Sequence, residues 1–354
     1  MTIDSRIEQE AVRGTGAQRS AGAGEVRSAT GNRRFEISVF LNERAREQLA
    51  RDVRAGLTQT PKSLPPKYFY DALGSRLFDR ICDTPEYYQT RTEQALLENI
   101  ADAVVGELSP THIVELGSGA ARKTRVLLDA LQKTGRGFHF VPFDVSESML
   151  RASAAELLRE YPWLHVHGIV GDYEHHLAHI PGGERRLFVF LGSTIGNFEP
   201  DAALDFVKRV NACMRPQDRL LLGFDLVKSE RVLHAAYNDA QGITAEFNKN
   251  VLSVINRELG ANFDLNRFAH VAFYDPAKSQ IEMHLESSSA QRVHVARLEL
   301  DVAFAEGERM RTEISRKFTR SSVALLLERS GQELVSWFSS ADQHFALALT
   351  QQKG

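Results

Sequence analysis

Cysteine is scarce: Cys82 and Cys213 are the only two in 354 residues. They form no C-x-x-C pair and no disulfide framework, so a reducing cytoplasm is the expected compartment. Long apolar runs are absent too. None approaches the roughly 18 residues of a membrane span, and the N-terminus lacks the apolar core of a signal peptide. Excess charge of either sign is also missing. Forty-three Lys and Arg against 46 Asp and Glu leave a net charge of −3, so nothing in the charge balance points to nucleic acid or an anionic membrane as partner. What remains is a chain with 43% hydrophobic and 25% charged residues. That is an ordinary globular composition, of a length for one large or two small domains.

Residues 1–34 are rich in Gly, Ala, Ser and Arg without any period, which is the expectation for a disordered leader. The informative stretch is Ile113-Val114-Glu115-Leu116-Gly117-Ser118-Gly119-Ala120-Ala121-Arg122-Lys123-Thr124. A β-branched run ends in an acid and a glycine pair, and a helical pattern from Val126 to Leu131 follows. Strand, glycine turn and helix N-terminus together present unpaired backbone N–H groups to an electron-rich ligand. A phosphate-binding P-loop would need glycine where Arg122 stands, and so would the last position of a dinucleotide fingerprint. The E-x-G-x-G turn of an S-adenosylmethionine site has no such requirement.

Apolar strands are expected at His112–Leu116, Phe138–Phe143, Leu164–Val170, Leu187–Leu191 and Leu220–Phe224. Amphipathic helices between them include Ser148–Glu160 and Ala202–Met214. This alternation predicts a parallel sheet covered on both faces, with ligands beyond the strands' carboxyl ends. Those ends carry Asp144, placed for ribose hydroxyls, then Asp172-Tyr173 for an adenine, then the polar shelf Gly192–Asn197. Acid, acid and shelf in this order favour S-adenosylmethionine over NAD. His175-His176-Leu177-Ala178-His179 invites a metal, but no third ligand is evident, and no metal is expected.

Thr90-x-x-Glu93 reads as a capping box opening the helix Gln94–Val105. The segments around Tyr68, Tyr70, Tyr87 and Tyr88 hold four tyrosines near prolines, suited to packing or to a substrate lid. From about 227 to 317 the sheet pattern pauses for helices at 230–237 and 242–259, then strands at 269–274, 281–287, 291–298 and 310–318. There Glu313 and Ser315 share one face of a strand, as an exposed polar edge or as a grip on the two nitrogens of an imidazole. Helix 321–330 and a hairpin, 334–338 with 345–349, close the chain. The expected organisation is a Rossmann-like α/β unit (92–226 and 318–354) with an antiparallel closing hairpin. An inserted α+β substrate-binding unit (35–91 and 227–317) completes it.

Several separated motifs then resemble one family: Lys67-Tyr68-Phe69-Tyr70-Asp71, Pro85-Glu86-Tyr87-Tyr88, Glu115–Gly119 with Lys123-Thr124, Phe143-Asp144-Val145-Ser146, Gly192–Asn197 and Thr312-Glu313-Ile314-Ser315. From about 35 to 352 the chain resembles the histidine-specific Nα-methyltransferases of ergothioneine biosynthesis. The resemblance implies a class I methyltransferase fold using S-adenosyl-L-methionine as methyl donor. It implies trimethylation of the α-amine of L-histidine to hercynine, by a monomer without nucleic-acid or membrane partners. Cofactor contacts carry over to Gly117, Lys123, Asp144, Asp172 and Tyr173, the last standing where phenylalanine is expected. Substrate contacts carry over to Tyr87, Asn197, Tyr237, Met283, Glu313, Ile314 and Ser315. Tyr70 is a further pocket position. No single catalytic base is assigned; Tyr70 and Asn197 are the candidates. The rival readings are a relative acting on another amino acid or amine, and a non-catalytic cofactor-binding protein.

Overall fold

The computed structural model describes residues 34–41, 43–135 and 137–354. The expected leader falls outside them, apart from Arg34. Six parallel strands build the main sheet: β1 (Phe35–Val39), β2 (His112–Leu116), β3 (Phe138–Asp144), β4 (Leu164–Val170), β5 (Arg186–Phe190) and β6 (Arg219–Asp225). Their spatial order is β1-β4-β3-β2-β5-β6. The order reverses at β2, the strand that feeds the glycine turn, and a crevice opens at such a point.

Successive residues of each strand point to opposite faces, and each face has its own core. Ile113, Phe140, Val166 and Leu187 pack with Leu97, Leu127 and Leu157. These come from helices α3 (Tyr88–Leu108), α4 (Thr124–Gln132) and α5 (Glu147–Glu160), which follow α1 (Glu43–Thr58) and α2 (Ala72–Cys82) in the chain. Val114, Val141, Phe188 and Leu222 pack with Phe206 and Val207 on the other side, from α6 (Pro200–Cys213).

The chain leaves this sheet after β6 and returns beside the point of departure. The Val227 N–H donates to the Phe318 carbonyl and the Phe318 N–H to the Asp225 carbonyl, at 2.9 and 2.8 Å. Between these ends lie α7 (Glu230–Tyr237), α8 (Ile243–Leu259), β7 (Phe268–Asp275), β8 (Gln280–Ser287), β9 (Gln291–Val295), β10 (Leu300–Phe304) and β11 (Arg309–Arg316). β11, β8 and β7 form one antiparallel sheet, and β10 pairs with β9. Their core is separate from the other two. It joins Leu252, Met283, Leu285 and Met310 to Leu49, Val53, Phe69 and Leu77 from the N-terminal segment. After α9 (Arg320–Arg329), opened by a capping box in which Thr319 accepts the Ser322 N–H, β12 (Gln332–Ser339) and β13 (Phe345–Gln352) form the closing hairpin. β13 runs antiparallel to β6.

The structure departs from the sequence expectation at four places. Residues 35–39 add a parallel edge strand to the main sheet beside β4 rather than joining the inserted unit. Residues 291–298 are not one strand: β9 stops at Val295, a short 3-10 turn follows, and β10, unforeseen, pairs back. The Thr90–Glu93 capping box does not form, because α3 already starts at Tyr88 and Glu93 lies inside the helix. The turn's N–H groups are not free either. Those of Gly117 and Ser118 donate to the Phe143 carbonyl and that of Gly119 to Asp144.

Candidate active site

The glycine turn is bound to the end of the neighbouring strand β3. Asp144 accepts the Gly119 N–H on one carboxylate oxygen and the Ser146 N–H on the other, both at 2.9 Å. Each oxygen keeps lone pairs for a further donor. Burial pushes the Asp144 carboxyl up, against the backbone hydrogen bonds that pull it down. Gly117 has φ +74°, and a Cβ there would lie 2.5 Å from the Tyr173 hydroxyl, so conformation and space both require glycine. The Tyr173 ring stacks on Phe143 at 5.6 Å and stands edge-on to Phe206. Asp172 is partly committed. One of its oxygens accepts the Glu174 and His175 N–H groups and meets His175 Nδ1, and the second lies 3.5 Å from His176 Nδ1. Burial opposes its charge, but the His175 contacts prevail and hold the carboxyl below its usual value. His179 stacks on Phe40 instead of turning toward His175. Among the described residues no three or more His, Cys, Asp or Glu side chains gather as a metal site, and no helix is long and apolar enough to cross a membrane.

The Ser118 hydroxyl is buried at this turn without a partner. Together with the open lone pairs of Asp144, it leaves the turn suited to a ligand rich in hydroxyl and amine groups. A ribose with an amino-acid tail fits that description.

Beyond the turn lies a cleft between the main sheet and the inserted unit. Its wall includes Tyr70, Tyr87, Asn197, Tyr237, Met283, Glu313 and Ser315, seven residues scattered over 245 positions that the fold brings to one place. Tyr70 follows a 3-10 turn whose extended entry is set by Pro65, and Tyr87 sits at the N-cap of α3. Asn197 ends the short 3-10 turn Thr194–Asn197. That turn presses on β11, where a Cβ on Gly196 would meet the Arg316 carbonyl at 2.7 Å. Along β11 the register shifts between Arg311 and Glu313, so an extra residue re-aims the strand before Glu313. Ile314, between Glu313 and Ser315, points away by strand alternation and is not in the cavity wall. Phe78, Phe247 and Thr244 also line the wall, unforeseen from the sequence; the Thr244 hydroxyl is buried without a partner.

Burial raises the Glu313 carboxyl to about 8, against the pull of Lys317. Burial also raises Tyr70 and Tyr87 well above the usual phenol value, and the negative charge of Glu313 adds to both. Neither phenol supplies a base near neutrality. The Glu313 shift carries a stability consequence of definite sign. The fold favours the protonated acid, so that contribution is fully present below the ordinary value of 4.5 and is lost as pH rises through about 8. Glu313→Gln is expected to stabilise the ligand-free protein above pH 8 by roughly a few kcal/mol. The gain should shrink to nothing below pH 4.5. Denaturant midpoints measured across that range test this; a pH-independent gain would contradict it.

Two buried charge networks escaped the sequence reading. Glu93, fully buried, pairs with Lys123 and accepts the Gly192 N–H at 2.8 Å. It therefore ties the glycine turn to the shelf. The signal was present: Glu93, Leu96, Leu97 and Ile100 share one buried stripe of α3, and a carboxylate in such a stripe needs a cationic or N–H partner. The second network centres on Asp225, at the end of β6. It accepts from the Tyr88 hydroxyl at 2.7 Å, pairs with Lys228 and pairs with Lys317 at 2.8 Å. Burial works against its charge, but the two lysines hold it ionised.

The comparisons fall on the same ground. Residues 49–352 match the family model described as histidine-specific methyltransferase, SAM-dependent. A histidine N-alpha-methyltransferase of Mycobacterium tuberculosis is 49% identical over 89% of this chain and 99% of its own length. Another, from Mycolicibacterium smegmatis, is 48% identical over 86% of this chain and 95% of its own. Ergothioneine biosynthesis protein 1 of Schizosaccharomyces pombe is 30% identical over 78% of this chain, which spans 37% of that longer protein. With the matched region holding the glycine turn, the acidic strand ends and the whole cavity wall, the chain belongs to the histidine-specific, S-adenosylmethionine-dependent methyltransferases.

Proposed function

We propose that this chain transfers three methyl groups in succession from S-adenosylmethionine to the α-amine of L-histidine, forming Nα,Nα,Nα-trimethylhistidine (hercynine). The observation that carries this reading is the cavity itself. An acid and a hydroxyl, Glu313 and Ser315, lie at its β11 wall, and the Gly192–Asn197 shelf lies at its other wall. Lys123 and Glu93 link that shelf to the glycine turn.

Each residue then has a task. Asp144 accepts the two ribose hydroxyls, Asp172 the adenine amine, and Tyr173 lies along the ring, while Gly117 and Lys123 admit and orient the methionine end. Glu313 accepts an imidazole N–H and Ser315 meets the second ring nitrogen, with Met283 packing on the ring. Asn197 and Tyr87 hold the carboxylate and backbone end, while the Tyr237 hydroxyl is committed to Ser315. The sulfonium supplies an activated methyl. The amine lone pair attacks that carbon as the carbon–sulfur bond breaks and the bonding pair stays on sulfur; after the first and second transfers an N–H proton leaves to solvent, and the third leaves a quaternary ammonium with no proton to lose. The protein's part is alignment of nucleophile and methyl. It must also receive an amine whose reference pKa is roughly 8 in its neutral form. Tyr70 and the shelf oxygens solvate that amine.

In this reading 92–226 with 318–354 carries the methyl donor and 43–91 with 227–317 the amino acid, β1 staying with the main sheet. Action as a monomer on a free amino acid is part of this proposal. The scarcity of cysteine supports the cytoplasm.

A mass-spectrometric assay of all twenty amino acids with S-adenosylmethionine tests the proposal. L-histidine should gain three methyls and the other nineteen essentially none. Turnover of another amino acid in preference to histidine would overturn it.

A further inference from the structure

Lys317 is wholly buried at the foot of β11, and each of its three ammonium protons has an acceptor. Asp225 Oδ2 lies at 2.8 Å, the Tyr237 hydroxyl at 3.0 Å and the Ser315 hydroxyl at 2.9 Å. The Tyr237 oxygen also accepts from the Gln89 amide at 3.3 Å, which fills its two lone pairs. Its single proton therefore goes to the Ser315 oxygen, 2.7 Å away. Ser315 now accepts twice, from Lys317 and from Tyr237. A hydroxyl has two acceptor sites and one proton, so only the Ser315 proton is left, and Ser315 lines the cavity.

We propose that Lys317 is a positioning residue that makes Ser315 an obligate donor, so that the cavity takes the histidine ring as one neutral tautomer, lone pair toward Ser315 and N–H toward Glu313. The inference rests on the histidine reading above. An imidazolium carries N–H on both nitrogens, and one of them would face the Ser315 proton. Such a donor–donor contact in a dry site costs about a lost hydrogen bond plus the desolvation of both groups. The ionisable groups around this point are Glu313 on β11, Asp225 on β6, Lys228 after it, Tyr237 on α7, and Tyr70, Tyr87 and Tyr88 from the N-terminal segment. Burial raises all four tyrosines, and the Asp225–Lys317 pair is ionised. Burial lowers Lys228 to about 8 against the pull of Asp225, so Glu313 in the wall and Lys228 beside Asp225 are the groups that change charge near neutrality.

The test is a pH series of nitrogen spectra of ring-15N-labelled L-histidine bound to the enzyme with S-adenosylhomocysteine, which allows no turnover. The wild type should show one hydrogen-bearing and one lone-pair nitrogen at pH 7. In Lys317→Met and in Tyr237→Phe a Ser315 lone pair is freed, and the ring should gain its second proton at a pH at least one unit higher than in wild type. Tyr237→Phe keeps the Lys317 charge, which separates hydroxyl orientation from the lysine's field. It also decides alone if Lys317→Met does not fold. Two hydrogen-bearing nitrogens in the wild type at pH 7, or a Tyr237→Phe midpoint equal to that of the wild type, would overturn the inference. Complete absence of a bound ring would overturn the histidine reading and this inference with it.

Discussion

Glu313→Ala is expected to raise the KM for histidine at least 100-fold while leaving the dissociation constant of S-adenosylmethionine within about threefold. The asymmetry follows from position. Glu313 lies on β11, in the wall of the cavity, whereas the groups of the glycine turn lie on β2 and β3. Above about pH 8, where Glu313 is ionised, removing the carboxylate takes away a charge-assisted hydrogen bond and leaves the ring N–H facing alanine in a dry site. Bonds to charged groups contribute about 1.5–3 kcal/mol, and an unsatisfied buried donor costs about 1–3 kcal/mol more. Together these amount to roughly two to four powers of ten in affinity. Glu313→Gln should recover part of the loss, because an amide oxygen still accepts. Equal losses for both ligands in calorimetric titrations would remove Glu313 from the ring.

Asp144→Ala is expected to weaken S-adenosylmethionine binding about 100-fold. Both carboxylate oxygens already hold the turn through Gly119 and Ser146, so the side chain sets the turn's shape and receives the ribose together. Two hydroxyl donors to an ionised acid account for roughly 3 kcal/mol. Asp144→Asn, which keeps one acceptor oxygen, should fall between wild type and alanine. Cofactor affinity unchanged in Asp144→Ala would place the ribose elsewhere.

The parts legible in the sequence were those with local signatures. Five parallel strands, the glycine turn and the closing hairpin announce themselves through β-branched runs, glycine and helical periodicity. The insertion was legible because the pattern changed after Asp225 and resumed near Phe318, and the backbone pairs at those two points. Residues 35–39 were not, because Phe-Glu-Ile-Ser-Val is a short half-buried edge whose strand character comes from β4. Glu93 looked like a cap because Thr90 stood three residues before it. Its partners, Lys123 and Gly192, lie 30 and 99 positions away, and only the folded sheet brings them together. Lys317 gave no local sign, since a single lysine after a strand usually reaches solvent. Of the cavity residues, the Gly192–Asn197 shelf was marked by its place at a strand end, and the others were singled out through family resemblance. Glu313 and Ser315 alone read equally well as a polar edge.

The most direct test of the whole account is a crystal structure of the protein with L-histidine and S-adenosylhomocysteine bound together. The expected result places the ring between Glu313 and Ser315 and the α-amine nitrogen facing the sulfur along the line the methyl would travel. A histidine bound with its ring away from β11, or with its amine turned from the sulfur, would contradict it.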